Sequence, residues 1–362
     1  MDTLKTRLQK ILDDYVAEGI VGVSLALRAP GEEEILIASG LAERTRQEPL
    51  KPAHLFRIAS CTKTYVAACL LQLVREGRVD LDEPIARWFP DLPKADRLPV
   101  RILVNHRSGL PEFENHMPMI SDRVWTPQEI VDFAFEVTGQ GEPWGTMQYN
   151  NTGYILAGMI VAQETGSTLS QALRARLFEP LGLDDTWVGT DEPYPAGRMA
   201  RAYFHRQDED GQWDIAGAGE PVDGCWDSTD WFPLSGANAA GDIVATPRDL
   251  MRWIDALFAG EVLDDARLHE MAGNLKEASF PGAPITANGH GILVSTIDGL
   301  EIKGHIGQLP GHTTCTGHHE ASGVSATLCQ NSGAGDFDSF YLTGIHAPFA
   351  ACFRTAGATP ER

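Results

Sequence analysis

The chain has 362 residues, of which 43% are hydrophobic and 22% are charged, and this composition is typical of a soluble globular protein with one large or two interlocked domains. Its 50 acidic residues outnumber the 29 basic ones and give a formal net charge of -21 at pH 7. This balance argues against a nucleic acid or an anionic membrane as a partner, because neither would find a basic surface to bind.

The first predicted element is an amphipathic helix at the start of the chain. Apolar residues recur at helical spacing from Leu4 to Val16, which predicts one buried face. Lys10 and Asp13 interrupt the unbroken apolar centre that a signal peptide needs. The longest apolar stretch elsewhere, 154–162, is far shorter than the roughly 18 residues of a membrane-spanning helix. We therefore expect a cytoplasmic protein.

Strand patterns occur near both ends of the chain, and helical patterns occupy its middle. Alternating residues around 21–27 and 35–40 predict an antiparallel hairpin, and residues 289–308 and 323–333 have similar strand character before a closing helix in 337–356. Helices are predicted over 62–76, 127–138, 152–165, 168–178 and 247–258.

This order predicts an α+β fold, in which the two ends of the chain build one antiparallel sheet flanked by terminal helices. A mostly helical domain is inserted into it. The predicted boundaries are 1–59 with 288–362 for the sheet domain and 60–287 for the helical domain, with the active-site cleft between them.

Cysteine and histidine spacing gives little support for a metal site. The six cysteines show no C-x-x-C pair, so we expect reduced and mostly buried thiols. The one candidate cluster, "HTTCTGHH", contains His312, Cys315, His318 and His319 without an accompanying H-E-x-x-H. We expect no metal.

Ser60 and Lys63 form the first candidate catalytic pair. They lie three positions apart where a helical pattern begins, so both fall on one face of its first turn. An N-cap serine and a solvated lysine would give the same spacing. A serine hydroxyl needs an adjacent base to attack a carbonyl, and a lysine provides one if burial keeps it neutral.

Three later residues complete the candidate machinery. Tyr149 would pass a proton to the leaving group if the lysine lowers the pKa of its phenol, and Asn151 would hold the lysine or a substrate amide. His305 lies on a predicted late strand. Alternatively, these residues are a half-buried aromatic, a helix cap and a structural strand residue.

Two backbone N–H groups would form an oxyanion hole. One belongs to Ser60, and the other belongs to Gln308 on the predicted strand. Gly307 would allow that strand to approach the substrate closely.

Six blocks of the sequence resemble the serine β-lactamase-like, penicillin-recognising hydrolases, in that family's order and over nearly the whole chain. They are "FRIASCTKTYVAACLLQLVREGRVDLDEPI", "ILVNHRSGLPEF", "MQYNNTGYILAGMIVAQETG", "PLGLDDTWVG", "GDIVATPRDLMRW" and "GHIGQLPGHT". Within the family, "NHRSGLP", "EPVDGCWDSTDWFPLSGANAAGD" and "CQNSGAGDFDSFYL" resemble the D-amino-acid amidase subgroup.

The resemblance implies Ser60 as the acylated nucleophile, Lys63 as the base, Tyr149 as a proton shuttle and Asn151 as a positioning residue. It places His305 and Gly307 on the strand that lines the site and implies no metal or organic cofactor. One departure is informative, because many β-lactamases have a lysine where this chain has His305. A mostly neutral histidine favours substrates without a carboxylate but does not exclude peptidases.

Binding of a small-molecule amino acid amide requires a receptor for its ammonium group and a wall for its side chain. Gln308, Glu112 and Glu114 are candidates for the ammonium, although both glutamates are better explained as solvated loop charges. The side-chain candidates are Trp226, Phe232 and Leu234, with Trp231 beside them, and these residues are alternatively core anchors.

Two neighbouring features have structural explanations. "NHRSGL" is best explained as a turn in which Gly109 adopts the left-handed conformation. Cys61 is one helix position from the nucleophile, so its side chain points aside and is expected to pack in the interior.

The sequence therefore predicts a hydrolase that converts D-amino-acid amides to D-amino acids and ammonia. A D-aminopeptidase, a D-Ala-D-Ala carboxypeptidase-like peptidase or an esterase would use the same residues. A non-catalytic ligand-binding homologue would be free to lose the serine, lysine or tyrosine, and this chain retains all three.

Overall fold

The computed structural model describes residues 3–118, 120–143, 145–205, 220–221, 224–280, 283–334 and 344–360. Within these residues the largest element is a nine-stranded antiparallel sheet. Its strands are β1 (Gly22–Arg28), β2 (Ile35–Glu43), β3 (Glu48–Pro49), β9 (Lys276–Glu277), β10 (Ile285–Asn288), β11 (Leu293–Ile297), β12 (Leu300–Leu309), β13 (His312–His319) and β14 (Val324–Gln330).

The strand order is β3-β2-β1-β14-β13-β12-β11-β10-β9. The N-terminal hairpin joins the C-terminal strands through β1, in which Leu25 pairs with Ile37 on one side and with Leu328 on the other. The predicted α+β fold and its sheet built from both ends of the chain are confirmed. Both β9 and β10 belong to this sheet, although β9 and the first three residues of β10 lie in 60–287, the range predicted for the helical domain.

Two small three-stranded sheets adjoin the large one. The first contains β4 (Phe56–Arg57), β8 (Ile243–Ala245) and β5 (Thr186–Val188). The second contains β15 (Ser332–Ala334), β6 (Tyr203–His205) and β7 (Cys225–Asp227). The first sheet places the segment before Ser60 beside residues 243–245, because Arg57 pairs with Val244.

The described part of the chain contains eleven α-helical segments. They are α1 (Leu4–Ala17), α2 (Thr62–Arg75), α3 (Val100–Leu103), α4 (Pro127–Val137), α5 (Thr152–Thr165), α6 (Leu169–Leu173), α7 (Glu179–Leu181), α8 (Leu234–Ala237), α9 (Pro247–Phe258), α10 (Asp265–Ala272) and α11 (His346–Thr355). A π-helical turn, Arg174–Phe178, follows α6 within the helix predicted over 168–178. The closing helix was predicted over 337–356, of which 337–343 lie outside the described residues.

The terminal helices cover one face of the large sheet. The buried residues Leu8 and Leu12 of α1 and Phe349 and Phe353 of α11 share a hydrophobic core with β1, β11, β12 and β14. Tyr15 also donates a hydrogen bond from its hydroxyl to Gln330 Oε1 over 2.8 Å. Apolar burial and this hydrogen bond together attach α1 to the C-terminal strands.

Helix α9 packs on the other face of the sheet and joins it to the helical core. It contacts β1, β13 and β14. Its start follows from the sequence, because Thr246 Oγ1 accepts a hydrogen bond from Asp249 N over 3.3 Å and Pro247 occupies the first helical position. Trp253 belongs to the helical core, where it stacks on Tyr65 of α2 with ring centroids 4.0 Å apart.

Helix α2 is the central helix of the helical core. Its residues from Thr62 to Leu73 are all buried, and it packs against α5, α6 and α10. Helix α5 is also apolar on most of its surface, which is typical of a helix inside a core. Of the helices described, none is both long and apolar enough to span a membrane.

We expect Trp253→Ala to lower the free energy of unfolding by about 3–5 kcal/mol, because it removes a fully buried indole and its hydrogen bond to Thr64 Oγ1 of 2.8 Å. Chemical denaturation of both proteins measures the difference. The control is Val124→Ala, which changes a side chain that is 75% exposed and should alter stability by less than about 0.5 kcal/mol. A similar small effect of Trp253→Ala would contradict this account of the core.

Candidate active site

Ser60 lies in a 3-10 turn, Ala59–Cys61, between β4 and α2. Ala59 has φ +50°, a conformation that non-glycine residues rarely adopt and that stores strain. The turn is held against β8, because Ile58 N donates a hydrogen bond to Ile243 O over 3.0 Å. The backbone therefore holds the Ser60 hydroxyl in one place at the start of α2.

Lys63 is fully buried directly beneath the serine. Its Nζ lies 2.9 Å from Ser60 Oγ and donates to Ala240 O over 2.7 Å. Burial lowers the pKa of Lys63 to about 7, while the carboxylates of Glu114 and Glu112 oppose this shift. A substantial fraction of the amine is therefore neutral near pH 7 and able to accept the proton of Ser60.

Tyr149 completes a compact group with these two residues. Desolvation raises the pKa of its phenol well above the ordinary value, and a hydrogen bond with Ser60 opposes the shift. The sequence made proton transfer by Tyr149 conditional on a pKa lowered by the lysine, and this condition is not met, because loss of water outweighs the other contributions. Tyr149 therefore keeps its proton and would act by relaying protons through its hydroxyl.

The Tyr149 ring is held by His106, a residue that the sequence reasoning did not assign to the site. The two rings stack with centroids 4.3 Å apart. His106 Nδ1 accepts a hydrogen bond from Asn150 N over 3.1 Å, and His106 itself has φ +61°. The turn predicted at Gly109 is present with φ +64°, but no sequence signal indicated the second left-handed residue.

Asn151 is bound by two carboxylates from the loop that follows this turn. Its Nδ2 donates to Glu114 Oε2 over 2.8 Å and lies 3.3 Å from Glu112 Oε1, while its backbone N donates to Glu112 Oε2 over 2.6 Å. The alternative that these glutamates are solvated loop charges is therefore wrong. Within the described residues, Lys63 forms its hydrogen bonds with Ser60 and Ala240 and not with Asn151.

The strand β12 runs directly against the nucleophile turn at Gly307. A Cβ atom at this position would lie 2.2 Å from Ile58 O and 3.1 Å from Ser60 N. Only a glycine permits this approach. The sequence predicted a close approach of this strand to the substrate, and the contact that the structure shows is with the nucleophile turn. The contact brings Gln308 to the same cavity as Ser60.

His305, on the same strand, is buried beside the site and does not line the cavity. Its Nδ1 lies within hydrogen-bond distance of Ile306 O, and its ring centroid is 6.3 Å from that of Tyr149. Burial lowers its pKa to about 3, with a smaller contribution from Lys63. The imidazole is therefore neutral near pH 7, which agrees with the expectation of no fixed cation here.

The residues around Ser60 line a small cavity that is partly open to solvent. Its polar lining comes from Ser60, Glu114, Asn151 and Gln308. Its other lining residues are Ala59, Phe113, Met117, Phe232, Gly236, Ala237, Ala240, Gly241 and Leu309. Such a mixture of apolar walls and a few polar groups is typical of a small-molecule site.

Of the predicted side-chain wall, Phe232 lines this cavity. Trp226 instead lies against Phe204, with centroids 6.5 Å apart, and Leu234 packs in a hydrophobic cluster with Leu55 and Val244. Trp231 belongs to the cluster of Phe204. The sequence reasoning missed Phe113 and Met117, which stand beside the predicted Glu112 and Glu114 and would have been indicated by their apolar character in an acidic loop.

The buried cysteine beside the nucleophile packs as expected. Cys61 Sγ lies 3.7 Å from His305 O, and burial raises the pKa of the thiol well above its ordinary value. In the candidate metal cluster, the alternation of β13 separates His312 and His318 from Cys315 and His319 onto opposite faces. Among the residues described, no group of three or more metal-ligating side chains is present.

The chain is similar to known proteins in both sequence and structure. The sequence pattern of the family described as Beta-lactamase matches residues 8–345. The crystal structure of D-amino acid amidase from Ochrobactrum anthropi SV3, complexed with L-phenylalanine amide, is 59% identical with a TM-score of 0.95 and covers 98% of both chains.

Two curated relatives have other activities in their names. Esterase EstB of Burkholderia gladioli is 28% identical over 370 residues, with 91% of each chain covered. Penicillin-binding protein 4* of Bacillus subtilis (strain 168) is 26% identical over 287 residues, which cover 76% of this chain and 60% of that protein.

We expect Gly307→Ala to slow covalent labelling of Ser60 by a fluorophosphonate probe at least about 100-fold, because the added methyl group would force β12 away from the nucleophile turn. The control is Gly197→Ala, since a Cβ there meets no atom within 4 Å. Labelling rates followed by mass spectrometry measure the effect. Equal rates for both variants would show that the close approach of β12 is not required.

Proposed function

Because the chain belongs to the Beta-lactamase family, we propose that it is a serine hydrolase that converts D-amino-acid amides to D-amino acids and ammonia through an acyl-enzyme on Ser60. The observation that carries this proposal is the contact of 2.9 Å between Ser60 Oγ and the buried Lys63 Nζ at the floor of a small cavity. The choice of amides is supported by the 59% identity to the Ochrobactrum anthropi amidase.

The first half of the proposed reaction forms the acyl-enzyme. Neutral Lys63 takes the proton of the Ser60 hydroxyl while Oγ attacks the carbonyl carbon of the amide. The C–N bond of the tetrahedral intermediate then breaks, and the nitrogen leaves as ammonia after it receives a proton. The Tyr149 hydroxyl, which hydrogen-bonds to Ser60, is placed to relay that proton from the lysine.

The second half releases the acid. A water molecule attacks the ester carbonyl of the acyl-enzyme and gives up one proton to Tyr149 and Lys63. The bond between the acyl carbon and Ser60 Oγ then breaks, and Oγ receives a proton from the same groups. The products are a D-amino acid and free enzyme. In both halves the developing oxyanion would be bound by the backbone N–H groups of Ser60 and Gln308.

The ammonium group of the substrate is proposed to bind Glu114. This carboxylate lines the cavity, and its Oε1 makes no hydrogen bond within the described part of the chain. Burial raises the pKa of Glu114 to about 7, with a further contribution from Glu112, while Lys63 opposes the shift. An ammonium group in the cavity would stabilise the ionised form and form a charge-assisted hydrogen bond. Phe113, Met117 and Phe232 would surround the side chain.

Ester hydrolysis is the second candidate, because the same nucleophile and base act on esters and esterase EstB is a relative over 91% of the chain. A peptidase would also use this machinery. The neutral His305 gives no cation to bind a substrate carboxylate, which favours amides and esters.

We expect the wild-type protein to release ammonia from D-phenylalanine amide at least about tenfold faster than from the L-enantiomer. Ser60→Ala and Lys63→Ala should each lower kcat by about 10²–10⁴-fold or more, because they remove the nucleophile and its base. A coupled ammonia assay measures all four rates. Release from neither enantiomer, with a simple ester still cleaved, would move the protein to the esterase or peptidase class. Appreciable turnover by Lys63→Ala would contradict the role of the lysine as base.

We expect Glu114→Gln to lower kcat/KM for D-phenylalanine amide at least about tenfold more than for the amide of D-phenyllactic acid, in which a hydroxyl replaces the ammonium. Steady-state kinetics on the two amides give the ratio. Glu142→Gln is the matched control, because that side chain is 70% exposed and pairs with Lys94 and Arg97 on the surface. Equal losses on both amides would show that Glu114 does not bind the ammonium.

A further inference from the structure

Glu112 differs from its neighbour Glu114 in how its carboxylate is used. Its Oε1 accepts hydrogen bonds from Phe113 N over 2.9 Å and Glu114 N over 3.0 Å, and its Oε2 accepts one from Asn151 N over 2.6 Å. Both oxygens are therefore occupied by backbone N–H groups. Glu112 does not line the cavity, whereas Glu114 does.

These hydrogen bonds join two separate segments at the start of α5. Asn151 immediately precedes this helix, and Asn150 Oδ1 accepts a hydrogen bond from Gly153 N over 2.8 Å in its first turn. The Glu112 carboxylate thus lies at the positive end of the helix dipole, which stabilises an anion there. The loop that contains Glu114 is held to the helix at the same point.

The same carboxylates decide which way the Asn151 side chain faces. Its amide nitrogen Nδ2 lies 2.8 Å from Glu114 Oε2 and 3.3 Å from Glu112 Oε1. A carboxylate accepts hydrogen bonds, so only the NH₂ end of the amide can face this pair. The amide oxygen Oδ1 makes no hydrogen bond within the described residues, and Asn151 lines the cavity. This oxygen is therefore the atom left to accept a hydrogen bond from a ligand.

We propose that Glu112 is a positioning residue, which fixes the Asn151 amide with its oxygen available to the N–H groups of a substrate amide. The leaving group of a primary amide carries N–H donors, whereas the leaving oxygen of an ester carries none. Glu112 thereby favours amides over esters. This inference rests on the proposed amidase activity and extends it to the basis of the amide preference.

The charge of Glu112 also influences the base. The titratable groups around Lys63 are Glu112 and Glu114 in the loop, Cys61 in the nucleophile turn, Tyr149 and His106 on one side, Tyr154 on α5 and His305 on β12. Glu112 raises the pKa of Lys63 and that of Glu114. Lys63 must be neutral to act as the base, and Glu114 must be ionised to bind the ammonium, so activity falls as pH falls through their pKa values. Removal of the Glu112 charge lowers both pKa values and moves this loss to lower pH.

The test uses Glu112→Gln, Asn151→Ala, the double variant and the exposed control Glu142→Gln. The kcat/KM values are measured for D-phenylalanine amide and its methyl ester over a series of pH values. We expect Glu112→Gln to reduce kcat/KM at least about tenfold for the amide and less than about threefold for the ester. The acid limb of the kcat/KM profile of Glu112→Gln should shift to lower pH. In the Asn151→Ala background, Glu112→Gln should lower kcat/KM for the amide by less than a further factor of about two, because both changes remove the same interaction.

Three results would overturn the inference while the wild type remains an active amidase: equal losses on amide and ester, an unshifted acid limb, or losses that multiply in the double variant. Thermal unfolding verifies that each variant is folded. If Glu112→Gln does not fold, Glu112→Asp replaces it. The shorter carboxylate keeps the charge and should lower the amide-to-ester ratio without shifting the acid limb, and an unchanged ratio would overturn the inference. Failure of the wild type to release ammonia would instead refute the proposed function.

Discussion

The candidate site depends on one unfavourable burial, the complete removal of the Lys63 amine from water. A buried ammonium is costly, and the cost falls if the amine gives up its proton and if its remaining hydrogens find acceptors. Ser60 Oγ and Ala240 O provide these two partners at 2.9 and 2.7 Å. The surroundings must be rigid to keep them there. This requirement explains why α2, from which the lysine extends, is buried along most of its length between α5, α6 and α10.

Other elements hold the partners of the lysine from different directions. The carbonyl of Ala240 comes from the segment between α8 and β8, and β8 pairs with β4 immediately before the nucleophile turn. The large sheet brings β12 to the same turn from the C-terminal part of the chain, and Gly307 allows it to approach within contact of Ile58. The antiparallel sheet that joins both ends of the chain is therefore what assembles the cavity. Contacts among residues close to α2 in the sequence would not bring β12 to the cavity.

The sequence predicts the parts of this arrangement that depend on residues close together in the chain. Local signals were sufficient to predict the start of α9 at Thr246 and Pro247 and the common face of Ser60 and Lys63. They did not predict that Ala240 binds Lys63, because its contact is made by a backbone carbonyl, which every residue has. Glu112 and Glu114 look like surface charges in a loop, and their inward orientation results from Asn151, which lies 39 residues after Glu112 and 37 after Glu114. Trp226 was misplaced because an aromatic-rich loop supplies both pocket walls and core anchors, and only the packing against Phe204 distinguishes them.

The charges in and around the cavity favour a cationic ligand. On one side are two carboxylates, of which Glu112 is saturated by backbone N–H groups and Glu114 faces the cavity. On the other side His305 is neutral, since burial lowers its pKa to about 3, and Lys63 is itself partly neutral. An anionic substrate would therefore meet a carboxylate without a full compensating cation, whereas the ammonium of an amino acid amide would meet its counter-charge. The net charge of -21 acts in the same direction at longer range, because an acidic protein attracts cations in solution and repels anions.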